Sequence, residues 1–451
     1  MRKIHHDMLL RGTKLLNILL LTVPFGLCWK CFYVAQAIQG SDWIENCLIF
    51  LLFIVLYCVF GRVYEAFQVS TKRISEMIYS QGLSALIADG VMFVVVWLIL
   101  GHFPNVFPIL ACFLLQLLLS TLWSLLTNRL YFRVFAPEPT AIIYGTRRGL
   151  DQLIGKYGLH RKYKVLLTKH IDACLQDLSI LDEMHIVFIS GVHSRERNIV
   201  LKYCIARGIH VLLAPRIGDV LLSSAEPTHL FHFPMLRVNW YNATPEYLFL
   251  KRMADVVLSL LGLVLLSPLM LGVAIAVKVC DGGPVIYSQV RLTKDGRPFR
   301  ILKFRSMSVN AEADGIARLS TGSRDSRVTP VGRIIRKLRL DELPQLINIL
   351  KGDISIVGPR PERPEIAAQY ESEMPEFALR LQAKAGLTGY AQVYGKYNTT
   401  PYDKLQMDLM YIAHPSILED LKIMMATVKI LFMPESTEGV EEEQTTASAV
   451  Q

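Results

Sequence analysis

Four apolar runs crowd the first 126 residues, and each approaches the length needed to cross a bilayer: Leu15–Ala37, Trp43–Phe60, Leu83–Leu100 and Phe103–Leu126. Hydrocarbon leaves backbone groups no water to bond, so such runs become packed helices. Arg2, Lys3, Arg11 and Lys14 precede the first run, Arg62, Lys72 and Arg73 lie in the middle loop, and Arg129 and Arg133 follow the fourth. The loops around Gln39–Asp42 and Gly101–Pro104 hold no Lys or Arg. This asymmetry places both ends of the bundle in the cytoplasm. Lys30 and Asp89 lie in or at the edge of spans and read as snorkelling groups. No cleavable signal peptide is expected, since the first run leads into three more.

The apolar excess is local. Hydrophobic residues make up 52% of the 451 and charged ones 19%, a mean over a membrane part and a water-exposed part. Net charge is +9, yet the segment from Pro434 to Gln451 carries five glutamates and no Lys or Arg, leaving +14 elsewhere. That excess suits anionic lipid and phosphorylated substrates, and no nucleic-acid module accompanies it. Of eight cysteines, Cys28, Cys31, Cys47, Cys58 and Cys112 sit in apolar segments and behave as small hydrophobes. Cys174, Cys204 and Cys280 have no zinc-ligand spacing.

From Thr140 the pattern changes to short apolar runs separated by amphipathic stretches. Thr140–Tyr144, Lys164–Leu167, His185–Ser190 and Ile209–Ala214 read as buried strands of a parallel sheet. The first runs into Gly145-Thr-Arg-Arg-Gly149, a dinucleotide-type loop in which Arg147 fills the second glycine position. The reading is a Rossmann-like domain with a degraded nucleotide site and a regulatory or assembly role.

Lys251 and Arg252 open a fifth run, Met253–Val277, interrupted by Ser267-Pro268. Proline removes a donor and clashes with the preceding turn, and cations flank both ends. The expectation is a helix–break–helix that dips into one leaflet and returns, against the alternative of a kinked span.

Asp295-Gly296 between alternating stretches predicts a hairpin from Pro284–Arg291 to Phe299–Arg305, with Lys303 and Arg305 on one face. Six Lys or Arg and a single acid fall between Arg291 and Arg305, fitting either phosphate chemistry or a grip on anionic lipid. Beyond it, Leu343, Leu346, Ile347 and Leu350 keep helical spacing, with Pro344 in the first turn. The helix is expected to begin near Asp341, with Asp341 and Glu342 at its positive end and Arg336, Lys337 and Arg339 around them. Asp341 is then either a cap or an ionised nucleophile toward phosphorus. Gly358-Pro-Arg-Pro-Glu362 mounts Arg360 rigidly, and Gly386-Leu-Thr-Gly-Tyr-Ala-Gln392 is a second glycine-rich loop.

Taken in order, Lys251-Arg252, the Ser-Pro helix, Gly-Pro-Val-Ile-Tyr-Ser-Gln-Val-Arg291, Lys-Phe-Arg-Ser-Met307, Leu-Asp-Glu-Leu-Pro-Gln345, Gly-Pro-Arg-Pro-Glu362 and Gly-Leu-Thr-Gly-Tyr-Ala-Gln392 form a specific string. From about Lys251 to Pro434 it resembles the bacterial sugar transferases, the monotopic polyprenyl-phosphate phosphoglycosyl transferases. With four spans and an α/β insert, the chain resembles the large forms that initiate exopolysaccharide, capsule or O-antigen assembly. One departure stands out: Leu292-Thr293 follows Arg291 where the family often carries glycine.

The resemblance implies Asp341 as nucleophile with Glu342 beside it, and Mg²⁺ bound near both. It also implies phosphate contacts from Arg336 and Arg360; the remaining candidates are Lys303, Arg305 and Gln392 for substrate, and Lys251, Arg252, Ser267 and Pro268 for the membrane. The implied partners are membrane lipid, undecaprenyl phosphate and a UDP-sugar, glucose or galactose, with UMP released; a homodimer is one assembly this allows. Two rivals remain at this point, a membrane-anchored nucleotide-binding regulator with an inactive transferase domain and a UDP-releasing glycosyltransferase. The expected fold is a membrane helical bundle over residues 1–134, a Rossmann-like α/β domain over 135–244, and an α+β catalytic domain over 245–434. That last domain carries a re-entrant helix at 252–277, and an acidic disordered tail follows at 435–451. The expected location is the bacterial inner membrane, with the catalytic domain in the cytoplasm.

Overall fold

A computed structural model describes residues 2–36, 43–146, 150, 154–155, 158–239, 241, 243–308, 327–395 and 399–431. The acidic tail and Arg147–Gly149 lie outside the described residues. Two compact units divide at Pro215 and Arg216.

The first unit opens with α1 (Arg2–Cys28), extended by a π turn and a 3₁₀ turn to Gln36, then α2 (Trp43–Val63), α3 (Ile74–Leu100) and α4 (Phe107–Val134). These four are long and apolar enough to cross a membrane, as is a fifth helix in the second unit. The protein is therefore membrane-associated. Leu15, Leu19, Leu48, Leu98 and Leu118 stay exposed on the bundle surface, while Phe25 and Phe53 stack inside it at 4.5 Å. Gly101 ends α3 in the left-handed region (φ 69°), its N–H reaching the Trp97 carbonyl.

Polar groups are buried within the apolar bundle core. Asn17 Nδ2 donates to Gln81 Oε1 (3.3 Å), Tyr57 Oη donates to Asn17 Oδ1 (2.8 Å), and Gln81 Nε2 donates to the Ala66 carbonyl (3.1 Å). Gln116 Nε2 donates to the Leu21 carbonyl (3.1 Å) and approaches Asp89 Oδ1 (3.5 Å). Asp89, read from sequence as snorkelling, is instead 3% exposed and turned inward on Gln116. Its mid-helix position on α3 leaves a short side chain no route to the headgroups, whereas Lys30 does remain exposed.

After the bundle come β1 (Glu138–Tyr144), β2 (Tyr163–His170), α5 (Ile171–Gln176), β3 (Ile186–Ser190), α6 (Ser194–Ala206) and β4 (His210–Leu213). The strands form one parallel sheet in the order β2-β1-β3-β4. Dinucleotide-binding halves run 3-2-1-4, so this is the other doubly wound order. Gly145 serves the packing itself. A Cβ there would stand 2.5 Å from the Gly191 carbonyl oxygen, and its N–H bonds the Ser190 carbonyl at 3.0 Å.

The second unit starts with α7 (Ile217–Ser223), a hairpin of β5 (Glu226–Leu230) and β6 (Phe233–Arg237), and α8 (Pro245–Asp281). Ile217 and Val220 share a core with Leu405 and Leu409, so the segment from Arg216 packs with the catalytic region and not with the α/β sheet. The boundary read near residue 244 moves accordingly. Burial of two apolar side chains on α7, worth about 1.5–3 kcal/mol each, accounts for it.

Helix α8 runs unbroken through Pro268, contrary to the expected helix–break–helix. The Pro268 nitrogen cannot donate to the carbonyl four residues earlier, that of Val264, but the Ser267 hydroxyl donates to it at 2.8 Å. Thr244 caps the start through Tyr247 N (3.2 Å), and Gly282 (φ 70°) ends the helix. Tyr247, Asp255, Ser259, Val273 and Val277 are buried along one face, while Leu261, Val264, Leu265, Leu271 and Ile275 are exposed.

Then follow β7 (Ile286–Leu292), β8 (Pro298–Phe304), α9 (Pro330–Lys337), a 3₁₀ turn at Leu340–Glu342, α10 (Gln345–Lys351), β9 (Ser355–Val357), α11 (Pro364–Glu373), β10 (Gly386–Thr388), α12 (Tyr390–Tyr394), α13 (Pro401–Ala413) and α14 (Ile417–Leu431). The expected hairpin is present: β7 and β8 pair from Ile286↔Phe304 to Leu292↔Pro298. Asp295 (φ 59°) and Gly296 (φ 72°) make its turn. Asn348 pins α10 beneath β8, accepting from Leu302 N (3.0 Å) and donating to the Arg300 carbonyl (2.8 Å).

Candidate active site

Asp341 and Glu342 sit on the 3₁₀ turn between α9 and α10. The helix begins at Gln345 and is only seven residues long, so the acids precede it and do not cap it as the sequence suggested. Arg339, in the left-handed region (φ 55°), turns the chain off α9. Leu340 and Leu343 flank the pair and pack into a cluster with Val273, Val277, Phe304 and Ile335, which seats the turn against the second half of α8.

Three cations converge on Glu342. Lys303 Nζ, from β8, donates to its Oε1 at 2.8 Å. Arg360, from the loop after β9, approaches the same oxygen at 3.4 Å, and Arg339 Nη1 stands 4.0 Å from Oε2. Burial alone would push this carboxyl up, but Lys303, Arg360 and Arg339 hold it well below the usual carboxylate range. Asp341 is in a different state. Among the described residues its carboxylate makes no hydrogen bond and no ion pair. Burial, reinforced by the Glu342 charge, pushes it up to about 6 against the pull of Lys303, Arg336 and Arg360. One acid is thus committed to cations, and its neighbour is left available at the mouth of the same cluster.

The other expected site residues divide. Lys303, Arg336 and Arg360 act on the acid pair. Arg305 does not join them: it is 7% exposed and forks onto Asp281 at the end of α8, with Nη1 to Oδ2 at 2.8 Å and Nη2 on Oδ1. It lies beyond the last residue of β8, so the alternation that put it beside Lys303 no longer applies. Gln392 donates to the Leu387 carbonyl (3.1 Å), and its Oε1 is buried with no hydrogen-bond partner among the described residues.

Lys251 and Arg252 point into the unit. Lys251 Nζ donates to Asp420 Oδ2 (2.8 Å) and Tyr411 Oη (3.1 Å), and Arg252 donates to the carbonyls of Ile349 (2.6 Å) and Leu350 (2.8 Å). They fasten α8 to α14 and α10, a task that takes them away from lipid headgroups. Asp255 adds a third tie, accepting from Ile356 N at 2.9 Å and Ser355 Oγ at 3.1 Å. Ser267 and Pro268 are exposed midway along the apolar face.

Arg380 and Asp408, not singled out from the sequence, form a buried pair behind Arg360. Arg380 Nε and Nη2 both donate to Asp408 Oδ2, at 3.0 and 2.6 Å. Nothing in local spacing links positions that α13 and the 3₁₀ segment Pro375–Gln382 bring together.

Residues 246–434, the part holding all these groups, match the bacterial sugar transferase family. A UDP-glucose:undecaprenyl-phosphate glucose-1-phosphate transferase from Caulobacter vibrioides is 42% identical over 186 residues, covering 40% of this chain and 69% of the relative. The chain belongs to the bacterial sugar transferase family. Two other family members are similar over a smaller share of their length. A UDP-N-acetylgalactosamine-undecaprenyl-phosphate N-acetylgalactosaminephosphotransferase from Aeromonas hydrophila is 41% identical over 42% of this chain and 45% of itself. A UDP-glucose:undecaprenyl-phosphate glucose-1-phosphate transferase from Klebsiella pneumoniae is 43% identical over 40% of this chain and 39% of itself. The chain thus spans less than half the length of these two relatives.

Proposed function

We propose that this protein transfers a sugar-1-phosphate from a UDP-sugar to undecaprenyl phosphate, releasing UMP, with Asp341 as the nucleophile. The observation that carries the reading is the asymmetry of the acid pair, Glu342 locked by three cations and Asp341 unpaired among the described residues. An Asp341 oxygen attacks the β-phosphorus. The bond from that phosphorus to the bridging oxygen breaks, and UMP leaves with the electron pair. An oxygen of the lipid phosphate then attacks the same phosphorus and expels the aspartate. One phosphoanhydride replaces another, so Lys303, Arg336 and Arg360 need only neutralise charge as it shifts. The relatives' names, each a UDP-sugar and undecaprenyl phosphate, support the substrate pair.

The residues fit a Mg²⁺ ion of the kind that keeps most of its waters. Among the described residues no three acidic, His or Cys groups cluster, yet such an ion needs only one or two carboxylates plus substrate phosphates. Asp341, with Glu342 behind it, would hold the ion, which would neutralise diphosphate charge.

Both halves of α8 are tied to one unit, through Lys251, Arg252 and Asp255 before Pro268 and through Val273, Val277 and Asp281 after it. A helix crossing the bilayer would part those ties across some 30 Å of hydrocarbon. We therefore read α8 as lying with both halves at the cytoplasmic face of the inner membrane, the side the basic loops indicate.

The decisive experiment supplies UDP-sugar labelled in the sugar, without lipid acceptor, to the full chain. Wild type is expected to retain label and release about one equivalent of UMP, while Asp341→Asn does neither and loses ~10⁴–10⁶ in turnover. UDP release would indicate a glycosyltransferase, and labelled Asp341→Asn would exclude this nucleophile.

A further inference from the structure

The loop that delivers Arg360 is gripped by two guanidiniums belonging to other parts of the chain. Arg380 Nη2 donates to the Arg360 carbonyl at 2.9 Å, and Arg291 Nη1 donates to the next carbonyl, that of Pro361, at 3.3 Å. Glu362, the following residue, stands between them, 3.8 Å from Arg380 Nη1 and 3.7 Å from Arg291 Nη1. Its own carbonyl accepts from Leu292 N at 3.0 Å, so three successive peptide groups are fixed from outside.

Such a grip matters because of what Arg360 must do. Its side chain is long, 45% exposed, and 3.4 Å from Glu342 Oε1. A guanidinium so placed loses its aim unless its backbone is fixed, since the long side chain itself samples many rotamers. Pro361 confines Arg360 to extended backbone, and the bond to its carbonyl fixes the remaining rotation. Arg380 is in turn immobilised: it is 6% exposed and spends Nε and Nη2 on Asp408, itself 1% exposed.

We propose that Arg380, oriented by Asp408, is a positioning residue for the acid pair: it fixes the Arg360 carbonyl and so sets the Arg360 guanidinium against Glu342 and Asp341. The inference rests on the reading of Asp341 as nucleophile. The groups facing Asp341 are Glu342 on its own turn, Arg336 on α9, Lys303 on β8 and Arg360 on the loop after β9. Of these, Arg360 alone has its backbone held by Arg380. Loosening it withdraws from the acid pair the guanidinium that stands 3.4 Å from Glu342 Oε1.

The test measures kcat and KM for UMP release by the full chain in detergent or nanodiscs, alongside thermal stability. Arg380→Lys keeps a cation for Asp408 but loses the fork that reaches Arg360. It is expected to lower kcat by ~10–100-fold, the worth of one charge-assisted hydrogen bond, with little change in KM. The second variant, Arg380→Met with Asp408→Leu, removes the buried pair while keeping volume, a change that often preserves stability. Positioning predicts that this variant keeps its melting temperature yet stays slow, again in kcat. Recovery of wild-type kcat in the double variant would show that the pair only supports the fold and would overturn the proposal. A loss confined to KM, or no loss in either variant, would do the same. Asp341→Asn is run in parallel: if it still turns over, the nucleophile reading fails on its own, whatever the Arg380 variants show.

Discussion

The Lys303 ammonium rests 2.8 Å from Glu342 Oε1, joining the second strand of the hairpin to the turn that carries both acids. That bond spans 39 residues of sequence and fixes which acid is neutralised. Lys303→Met keeps the stem and deletes the charge. Glu342 then competes with Asp341 for Arg360, and kcat/KM for UMP release should fall by ~10–100-fold, the range of a lost charge-assisted hydrogen bond. A steady-state assay with unchanged melting temperature checks it.

Asp341 sets a pH dependence of defined sign. Its nucleophilic form is the ionised one, so kcat/KM should climb about tenfold per pH unit below about 6 and level off above it. Stability runs the other way. A carboxyl raised from 3.8 to about 6 on folding favours the folded state at low pH, and that contribution is lost as pH rises from about 4 to about 6. Asp341→Asn should therefore be the more stable protein at pH 8, by up to about 3 kcal/mol, with the advantage vanishing toward pH 4. Denaturation of both proteins across that range measures the difference.

At Gly386 a Cβ would meet Gly358 N at 2.1 Å and the Thr388 carbonyl oxygen at 2.4 Å, both backbone atoms. Strands β9 and β10 would have to part, taking the Pro-Arg-Pro loop with them. Gly386→Ala should cost ~1–3 kcal/mol or more and abolish turnover. Gly272→Ala, where nothing among the described residues lies within 4 Å, serves as the control and should leave both unchanged.

Arg305 and Asp281 fasten the end of α8 to the residue after β8. Asp281→Ala strands a guanidinium that is 7% exposed and should lower stability by ~1.5–3 kcal/mol. Arg305→Met combined with Asp281→Ala should recover part of that loss, since no buried charge is then unpaired. Turnover per folded molecule should stay unchanged, because Arg305 does not reach the acids. A thermodynamic cycle over the four proteins decides it.

Cys280 is exposed one residue before that anchor. In a variant with Cys280 as its single cysteine, a membrane-impermeant maleimide should label inverted vesicles and leave intact cells unlabelled. Labelling of intact cells would place the end of α8 outside and contradict a same-side α8.

What could be read from the sequence was what neighbouring residues decide. Apolar length located the helices, short apolar runs located the parallel strands, and Asp295-Gly296 located the hairpin. Pro344 marked a helix start, but only roughly: Arg339 breaks α9 in the left-handed region, and a 3₁₀ turn intervenes before Gln345. Pro268 misled because Ser267 restores the hydrogen bond its neighbour cannot make, an exchange between adjacent residues that a proline rule omits. Arg380 escaped notice for a different reason. Its meaning lies in Asp408 and the Arg360 carbonyl, and tertiary packing alone joins those three. Lys251 and Arg252 showed the same limit in reverse, since cations beside an apolar run suggest lipid until their inward partners are seen.

The amides inside the four-helix bundle bear on how that bundle assembles. Once helices are inserted, lipid offers little hydrophobic preference for one pairing over another. Asn17, Gln81 and Gln116 therefore work as an address system: the arrangement present lets Asn17 reach both Gln81 and Tyr57 while Gln116 meets the Leu21 carbonyl. Each such bond contributes only about 0.6 kcal/mol in a membrane, so an all-leucine core would lose little stability. It would lose discrimination, and the helices would be free to dock in the wrong order or with helices of another chain.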